Sequence, residues 1–322
     1  MATTRLYRNG SIALEAFDVA DISEYIQEPG CLVWADFQSP SESDLAAIEE
    51  ELGLHTLAIE DAVHEHQRPK LDRYESHLFL AAYSVRLDPD TGELTKSEIK
   101  AFITPRALVT VHDGSFDMAS VVRRWDSDKA LAVHGAGFLL WGLLDSIVDG
   151  HFDAVQQLDG EIEELEDALF DERARNGEVQ RRSFEVRKSL VNLRRVVLPM
   201  REVVNTLLRR DLDLMDTAMQ PYFQDVYDHV LRATDWTESL RDLVATILET
   251  NISMQGNRMN LIMKKVTSWA AIIAVPTAIT GFFGQNLAFP GFATEWGVWV
   301  SLGLIFAASM GLFISFRRRD WL

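Results

Sequence analysis

KKVTSWAAIIAVPTAITGFFGQNLAFPGFATEWGVWVSLGLIFAASMGLFISFRRR, residues 264–319, decides the architecture. No residue between Lys265 and Glu295 is charged, and Val266 to Phe283 is almost wholly apolar or small. Residues 296–316 add a second uncharged run of 21. A helix rises about 1.5 Å per residue, so roughly 20 residues cross the hydrocarbon of a bilayer. Two such runs in tandem near the end of a chain read as a membrane hairpin rather than as buried core. Lys264 and Lys265 precede the first run, Arg317, Arg318 and Arg319 follow the second, and the connecting loop carries only Glu295. The excess of Lys and Arg on one side places both termini in the cytoplasm and the loop outside the cell membrane. Trp296, Trp299 and Trp321 stand where an aromatic belt meets the interface.

Upstream of the hairpin, no strong helix breaker occurs between Pro221 and Pro276. One helix from about 222 to about 283 would be roughly 90 Å long, a stalk that ends as the first membrane helix. Residues before it divide by pattern. CLVWADF (31–37), HLFLAAYSV (77–85) and IKAFITPRALVTVH (99–112) are β-rich apolar runs, and DPDTGE (88–93) has hairpin-turn chemistry. Ser39-Pro40 before SESDLAAIEEELG marks a helix start, with Gly53 as its stop. From about 135 onward Val155, Leu158, Ile162, Leu165 and Leu169 recur at the spacing of a packed helix pair, with an acidic face of Glu161, Glu163, Glu164, Glu166 and Asp167. The expected fold is therefore an α/β cytoplasmic domain (1–134), an acidic helical hairpin (135–220), a long stalk helix continuing into the first membrane helix (221–284), an extracytoplasmic loop (285–295), a second membrane helix (296–316) and a basic tail (317–322).

Composition excludes several classes. A formal charge of −18 on 322 residues argues against nucleic-acid binding, which needs a surplus of Lys and Arg. Cys31 is the single cysteine, so neither an internal disulfide nor a Cys-rich metal site can form. The first residues, MATTRLYRNGS, hold no apolar core of signal-peptide length. His64 and His66 form a His-x-His with no third ligand nearby and read as surface or packing residues. No nucleophile motif, phosphate loop or catalytic dyad indicates an enzyme.

On the first membrane helix Asn260, Met263, Thr267, Ala270, Ala274, Thr277 and Gly281 share one face, small or weakly polar throughout. Lipid gains nothing from such side chains, so that face meets either protein or water. Tight helix packing and a pore lining both satisfy the pattern. Gly303, Ala307 and Gly311 on the second helix form a small-xxx-small packing stripe.

GNRMNLIMKKVTSWAAIIAVPTAITGFFGQN (256–286), a second span and a closing RRRDWL together resemble the CorA metal ion transporter family. That family joins two membrane helices by a Gly-Met-Asn loop and ends in a basic cluster with an aromatic. IEDAVHEHQRPKLDRYE (59–75), LPMREVV (198–204) and PYFQDVYDHV (221–230) are similar to further family segments in the same order. The resemblance implies a homopentamer whose first membrane helices surround a central pore beneath a cytoplasmic funnel. It implies pore-lining roles for Asn260, Met263, Val266, Ala274, Thr277 and Gly281, alongside Thr267 and Ala270 on the same face. It also implies that Gly284, Gln285 and Asn286 form the selectivity loop.

The implied cargo is a hydrated divalent cation: Mg²⁺ first, with Co²⁺ and Ni²⁺ as further passengers. Mg²⁺ sheds water reluctantly, so a ring of Asn286 carbonyls would accept hydrogen bonds from its hydration shell without stripping it. Met263 and Val266 would form a hydrophobic constriction able to gate by dewetting. Regulatory Mg²⁺ is implied at Asp225, with Asp228 on the same face and Asp88 or Asp90 of a neighbouring copy opposite. Two carboxylates about 4 Å apart repel by roughly 4 kcal/mol at an effective dielectric of about 20, and a divalent ion cancels that. Gln285 stands where the family usually has Met, and Ala274 where it has a bulky apolar residue. Zn²⁺ transport of the ZntB type, with or without proton coupling, and a non-conducting membrane sensor are therefore the rival expectations.

Overall fold

The computed structural model describes residues 2–64, 68–89, 91–170, 176–209, 216–285, 290–291 and 294–322. Asn286, Asp90 and His66 lie outside the described residues. The chain forms two compact units, residues 1–247 and 248–322.

The first unit is built on a seven-stranded sheet. In chain order its elements are β1 (Ala2–Arg8), β2 (Ser11–Glu15), α1 (Ile22–Gln27), β3 (Cys31–Gln38), α2 (Glu42–Leu52) and α3 (Thr56–Val63). There follow β4 (Lys70–Arg73), β5 (Leu78–Leu87), β6 (Leu94–Ile103), β7 (Ala107–His112) and α4 (Met118–Ser127). The long helices are α5 (Ala136–Phe170), α6 (Asn176–Arg209) and α7 (Gln220–Phe283), and the chain closes with α8 (Glu295–Arg318). Strand order is β2-β1-β3-β7-β6-β5-β4, with β3 and β7 parallel and every other pair antiparallel. β3 and β7 are central and covered on both faces, which is why they read as continuous apolar runs rather than alternating ones.

Two boundaries show the local chemistry at work. The run 99–112 is two strands, folded back at Thr104-Pro105-Arg106, where the Thr104 hydroxyl accepts from Ala107 N at 2.9 Å. Proline lacks the N–H that a continuing central strand would need. The helix expected after Ser39-Pro40 opens on Ser41 as its N-cap. There Ser41 Oγ accepts from Asp44 N and Asp44 accepts from Ser41 N, a complete capping box. Gly53 ends that helix in the left-handed region, φ +59°.

One sheet face is covered by α1, α2 and α3, which bury Leu45, Ile48, Ala58 and Ala62 against Val33, Phe37, Phe79 and Phe102. The other face receives α4 and the first half of α5. Trp34 and Trp125 meet edge to face at 5.0 Å, and the Trp125 indole donates to Leu139 O at 3.1 Å. α5 is buried almost all round from Phe138 to Val148, then turns amphipathic, and Leu158, Ile162 and Leu165 face α6. α5 and α6 thus pack within the same compact unit as the sheet. The apolar first half of α5 requires this, because it needs the sheet to cover it.

Gly142 on α5 shows how tight that contact is. A Cβ there would stand 2.4 Å from Trp125 Cδ1 and Nε1, and Trp125 is both buried and hydrogen-bonded in place. Gly142→Ala is expected to destabilise the fold by about 1–3 kcal/mol, although Ala favours a helix over Gly by about 1 kcal/mol. Thermal unfolding checks this; an unchanged or higher Tm would contradict it.

The second unit contains the remainder of α7 and α8. Both helices are long and apolar enough to cross a membrane, and their apolar stretches are almost entirely unburied. A soluble core helix would be covered. Pro276 lies inside α7, and the Thr280 hydroxyl donates to Pro276 O at 2.9 Å, beside the site where the proline ring disturbs the backbone ladder.

Candidate functional site

α7 exposes every residue of the small face, and Val266 beside it. Asn260, Met263, Val266, Thr267, Ala270, Ala274, Thr277 and Gly281 are all solvent-accessible in the single chain, as surface awaiting lipid, water or another copy would be. The Thr277 hydroxyl donates to Ile273 O at 3.1 Å, which leaves its oxygen lone pairs outward as acceptors. At the end of α7, Gly284 N donates to Thr280 O at 2.8 Å and Gln285 N to Phe282 O at 3.3 Å. These bonds close the helix just before the loop. Gly291, φ +94°, packs on Trp296, and the Thr294 hydroxyl donates to Gly291 O at 2.7 Å, so a second turn starts α8.

At the opposite end of this hairpin, Trp321 stacks on Phe316 at 5.6 Å and lines one groove with Asn257, Asn260, Met263, Lys264 and Thr267. The tail therefore returns to the level at which α7 enters its apolar stretch, close to three residues of the small face.

A second constellation lies in the first unit, where α4, α5 and α7 meet. Asp145 and Asp149 are one turn apart on α5, Asp225 and His229 one turn apart on α7, and Arg124 projects from α4. His229 Nδ1 is 4.0 Å from Asp149 Oδ1, and His229 Nε2 is 3.9 Å from Asp225 Oδ1. Arg124 pairs with both Asp149 and Asp145, the latter at 2.8 Å. The Asp145 oxygen in that pair is buried, and the guanidinium N–H is not directed at it, so it has an ion pair but no hydrogen bond. Ligand atoms of Asp145, Asp149 and His229 all lie within 4.8 Å of one another. Burial pushes the Asp145 carboxyl up to about 6; Arg124 opposes that shift, and Asp149 and Asp225 add to it. Two carboxylates thus share one guanidinium and a third stands beside His229, and the excess negative charge suits a divalent, oxygen-preferring cation.

Of the acidic residues singled out in the sequence, Asp225 alone belongs to this cluster among the described residues. Asp228 accepts from Gln224 Nε2 at 3.0 Å on the exposed helix surface. Asp88 caps the β5–β6 turn, its carboxylate accepting from Thr91 N at 3.0 Å and its carbonyl from Gly92 N at 2.8 Å. Asp145, Asp149 and His229 were missed. Their signal was present: two carboxylates four residues apart interrupt the otherwise greasy LLWGLLDSIVDGHF, and a His follows Asp225 by four.

Comparison with known proteins covers most of the chain. Residues 30–318 match the family model described as CorA-like Mg²⁺ transporter protein. The cobalt/magnesium transport protein CorA of Thermotoga maritima is 31% identical over 274 residues, 84% of this chain and 77% of that protein. The complete CorA magnesium transporter structure from Methanocaldococcus jannaschii superposes with a TM-score of 0.80 at 25% identity, covering 100% of this chain and 99% of that one. A zinc transport protein ZntB from Yersinia pseudotuberculosis is 22% identical over 80% of this chain and 78% of its own.

Proposed function

The chain belongs to the CorA-like Mg²⁺ transporter family, and from that premise we propose that it admits Mg²⁺, with Co²⁺ and Ni²⁺, through a pore formed by five copies in the cell membrane. It is a transporter, not an enzyme. The observation that carries the reading is the extent of the family match, residues 30–318, which takes in strands β3 to β7, the long helix and both apolar helices rather than the membrane hairpin alone. Both termini face the cytoplasm in this reading, with the loop after α7 outside.

Around the pore axis the small face of α7 supplies the wall. Small and weakly polar side chains leave room for a hydrated ion and offer hydroxyl and amide oxygens to its waters. Gly284, Gln285 and Asn286 form the outer mouth, and the Asn286 amide oxygens receive the hydrated ion there. Met263 and Val266 form the apolar constriction on the cytoplasmic side.

Asp225, His229, Asp145 and Asp149 form the regulatory cation site of each chain, with Asp88 or Asp90 and Asp228 contributing where copies meet. Bound Mg²⁺ neutralises the clustered carboxylates and favours a closed, symmetric arrangement. Its loss restores the repulsion and loosens that arrangement.

A second reading rests on one residue. Gln285 stands where this family usually carries Met, so Zn²⁺ passage coupled to protons is the competing function. Flux into proteoliposomes separates the two. Mg²⁺ uptake independent of a pH gradient, accompanied by Co²⁺ and Ni²⁺, is the expected result. Zn²⁺ uptake that follows the gradient, with no Mg²⁺ entry, would favour the second, and no flux of any ion would sink both.

A further inference from the structure

A cavity of about 810 Å³ opens in the first unit between the α2–α3 face of the sheet and α6. It lies at the carboxyl ends of β3 and β7, the one parallel strand pair, where Ser39 and Asp113 leave the sheet side by side. Crevices at the carboxyl ends of parallel strands are common ligand sites, because diverging connections leave them open. None of the cation-handling residues named above lines it.

Its charge is anomalous for this protein. The chain carries a formal −18, yet Arg68, Lys96, Lys100, Arg194 and Arg195 all line this cavity. Two of the five are committed. Lys100 is buried and donates to Ala62 O at 3.0 Å and His64 O at 2.7 Å, and Arg194 pairs with Glu238. The other three are available: Arg68 and Arg195 have no ion-pair partner among the described residues, and Lys96 rests over the Tyr83 ring at 5.9 Å. Of the three acids lining the cavity, two are already engaged. Asp113 accepts from Ser115 N and Oγ, Glu98 lies 3.9 Å from Lys100, and Glu42 belongs to the first turn of α2. Between them the floor is apolar, formed by Leu45, Val111, Leu198 and Pro199.

We propose that this cavity binds a nucleoside phosphate, its phosphates held by Arg68, Arg195 and Lys96 and its base laid on the apolar floor of Val111, Leu198 and Pro199. Guanidinium forks match phosphate oxygens two at a time, and an ammonium adds a point charge. The volume falls within the range that encloses a drug-sized ligand and far exceeds what inorganic phosphate needs. A ligand on α6 would couple the sheet to the helical hairpin, which is where an effector of a transporter could act.

The test uses the full-length protein in detergent without divalent ions, titrated with a fluorescent ATP analogue and competed with ATP, adenosine, inorganic phosphate and a short-chain phosphatidylglycerol. Saturable binding is expected, displaced by ATP and at least about tenfold less effectively by each of the other three. Arg195→Glu is expected to weaken ATP binding about tenfold or more. Arg201→Glu, on the same helix outside the cavity, should leave it unchanged. Arg195 is exposed, so the substitution spares the core, and Arg195→Gln offers a milder loss of the same charge. Absence of saturable binding, wild-type affinity in both Arg195 variants, or displacement by phosphatidylglycerol as effective as by ATP would each overturn the proposal. Binding is read without ion flux, so its failure leaves the transport reading intact.

Discussion

Asn286→Ala is expected to reduce Mg²⁺ uptake into proteoliposomes by roughly two to three orders of magnitude while the oligomer assembles as before. The reason is the reluctance of Mg²⁺ to lose its inner waters. An ion that keeps them can be recognised only through them, by acceptors placed at the outer hydration shell. Hydrogen bonds to charged partners are each worth about 1.5–3 kcal/mol, and a factor of ten corresponds to about 1.4 kcal/mol. Losing even a few from a ring of five accounts for an effect of that size. Alanine removes the acceptor without adding bulk or charge, so assembly should not suffer. The readout is uptake of Mg²⁺ against a fluorescent indicator, with size-exclusion elution as the assembly control. Wild-type uptake by the variant would rule out the amide ring.

Asp145→Asn is expected to abolish the stabilisation that Mg²⁺ confers and to raise the Tm of the metal-free protein at neutral pH. Burial holds the Asp145 carboxyl at about 6, against 3.8 for a free aspartate. A folded-state value above the unfolded one means that the folded chain binds the proton more tightly. In the metal-free protein this group's contribution to stability is therefore largest below about pH 4 and is lost as pH rises from about 4 to about 6. After allowance for Arg124 and for solvent screening, charging Asp145 costs about 1–2 kcal/mol at neutral pH. Asparagine removes that cost in place and leaves Arg124 its pairing with Asp149. In the proposed regulatory site Mg²⁺ binds the charged form, so its stabilising effect is expected to fade below about pH 6 and to vanish in the variant. A Tm that rises with Mg²⁺ as much in Asp145→Asn as in the wild type would remove Asp145 from the site. Inhibition of transport by internal Mg²⁺ should weaken at least about tenfold in the same variant.

How much of this was legible in the sequence depended on range along the chain. Val266 to Phe283 and residues 296–316 needed no partner to be recognised, because length and apolarity are local properties. The 64-residue α7 was equally open to reading, since no strong breaker stands between Pro221 and Pro276. β3, β5 and the turn at 88–93 follow from β-branched and turn residues. β1, β2 and β4 had no comparable signal. They are edge or near-edge strands, half exposed, and their alternation is short and interrupted by charges such as Arg5, Arg8 and Arg73.

The acidic cluster was legible only in part. Asp225 was found through its resemblance to a known segment; Asp145 and Asp149 were passed over within an apolar helix, and nothing in the sequence ties Arg124 to them. What the sequence by itself determined was the membrane hairpin, its charge bias, the long helix and the residues on its small face, since periodicity and composition act over a few turns. What only the tertiary structure decided was which charges meet. Asp145 and Asp225 stand 80 positions apart and come together because the apolar face of α5 must be covered. The cationic cavity likewise joins β6 to α6 across nearly a hundred residues. Packing of greasy surfaces brings these groups together, and electrostatics then sets what they can bind.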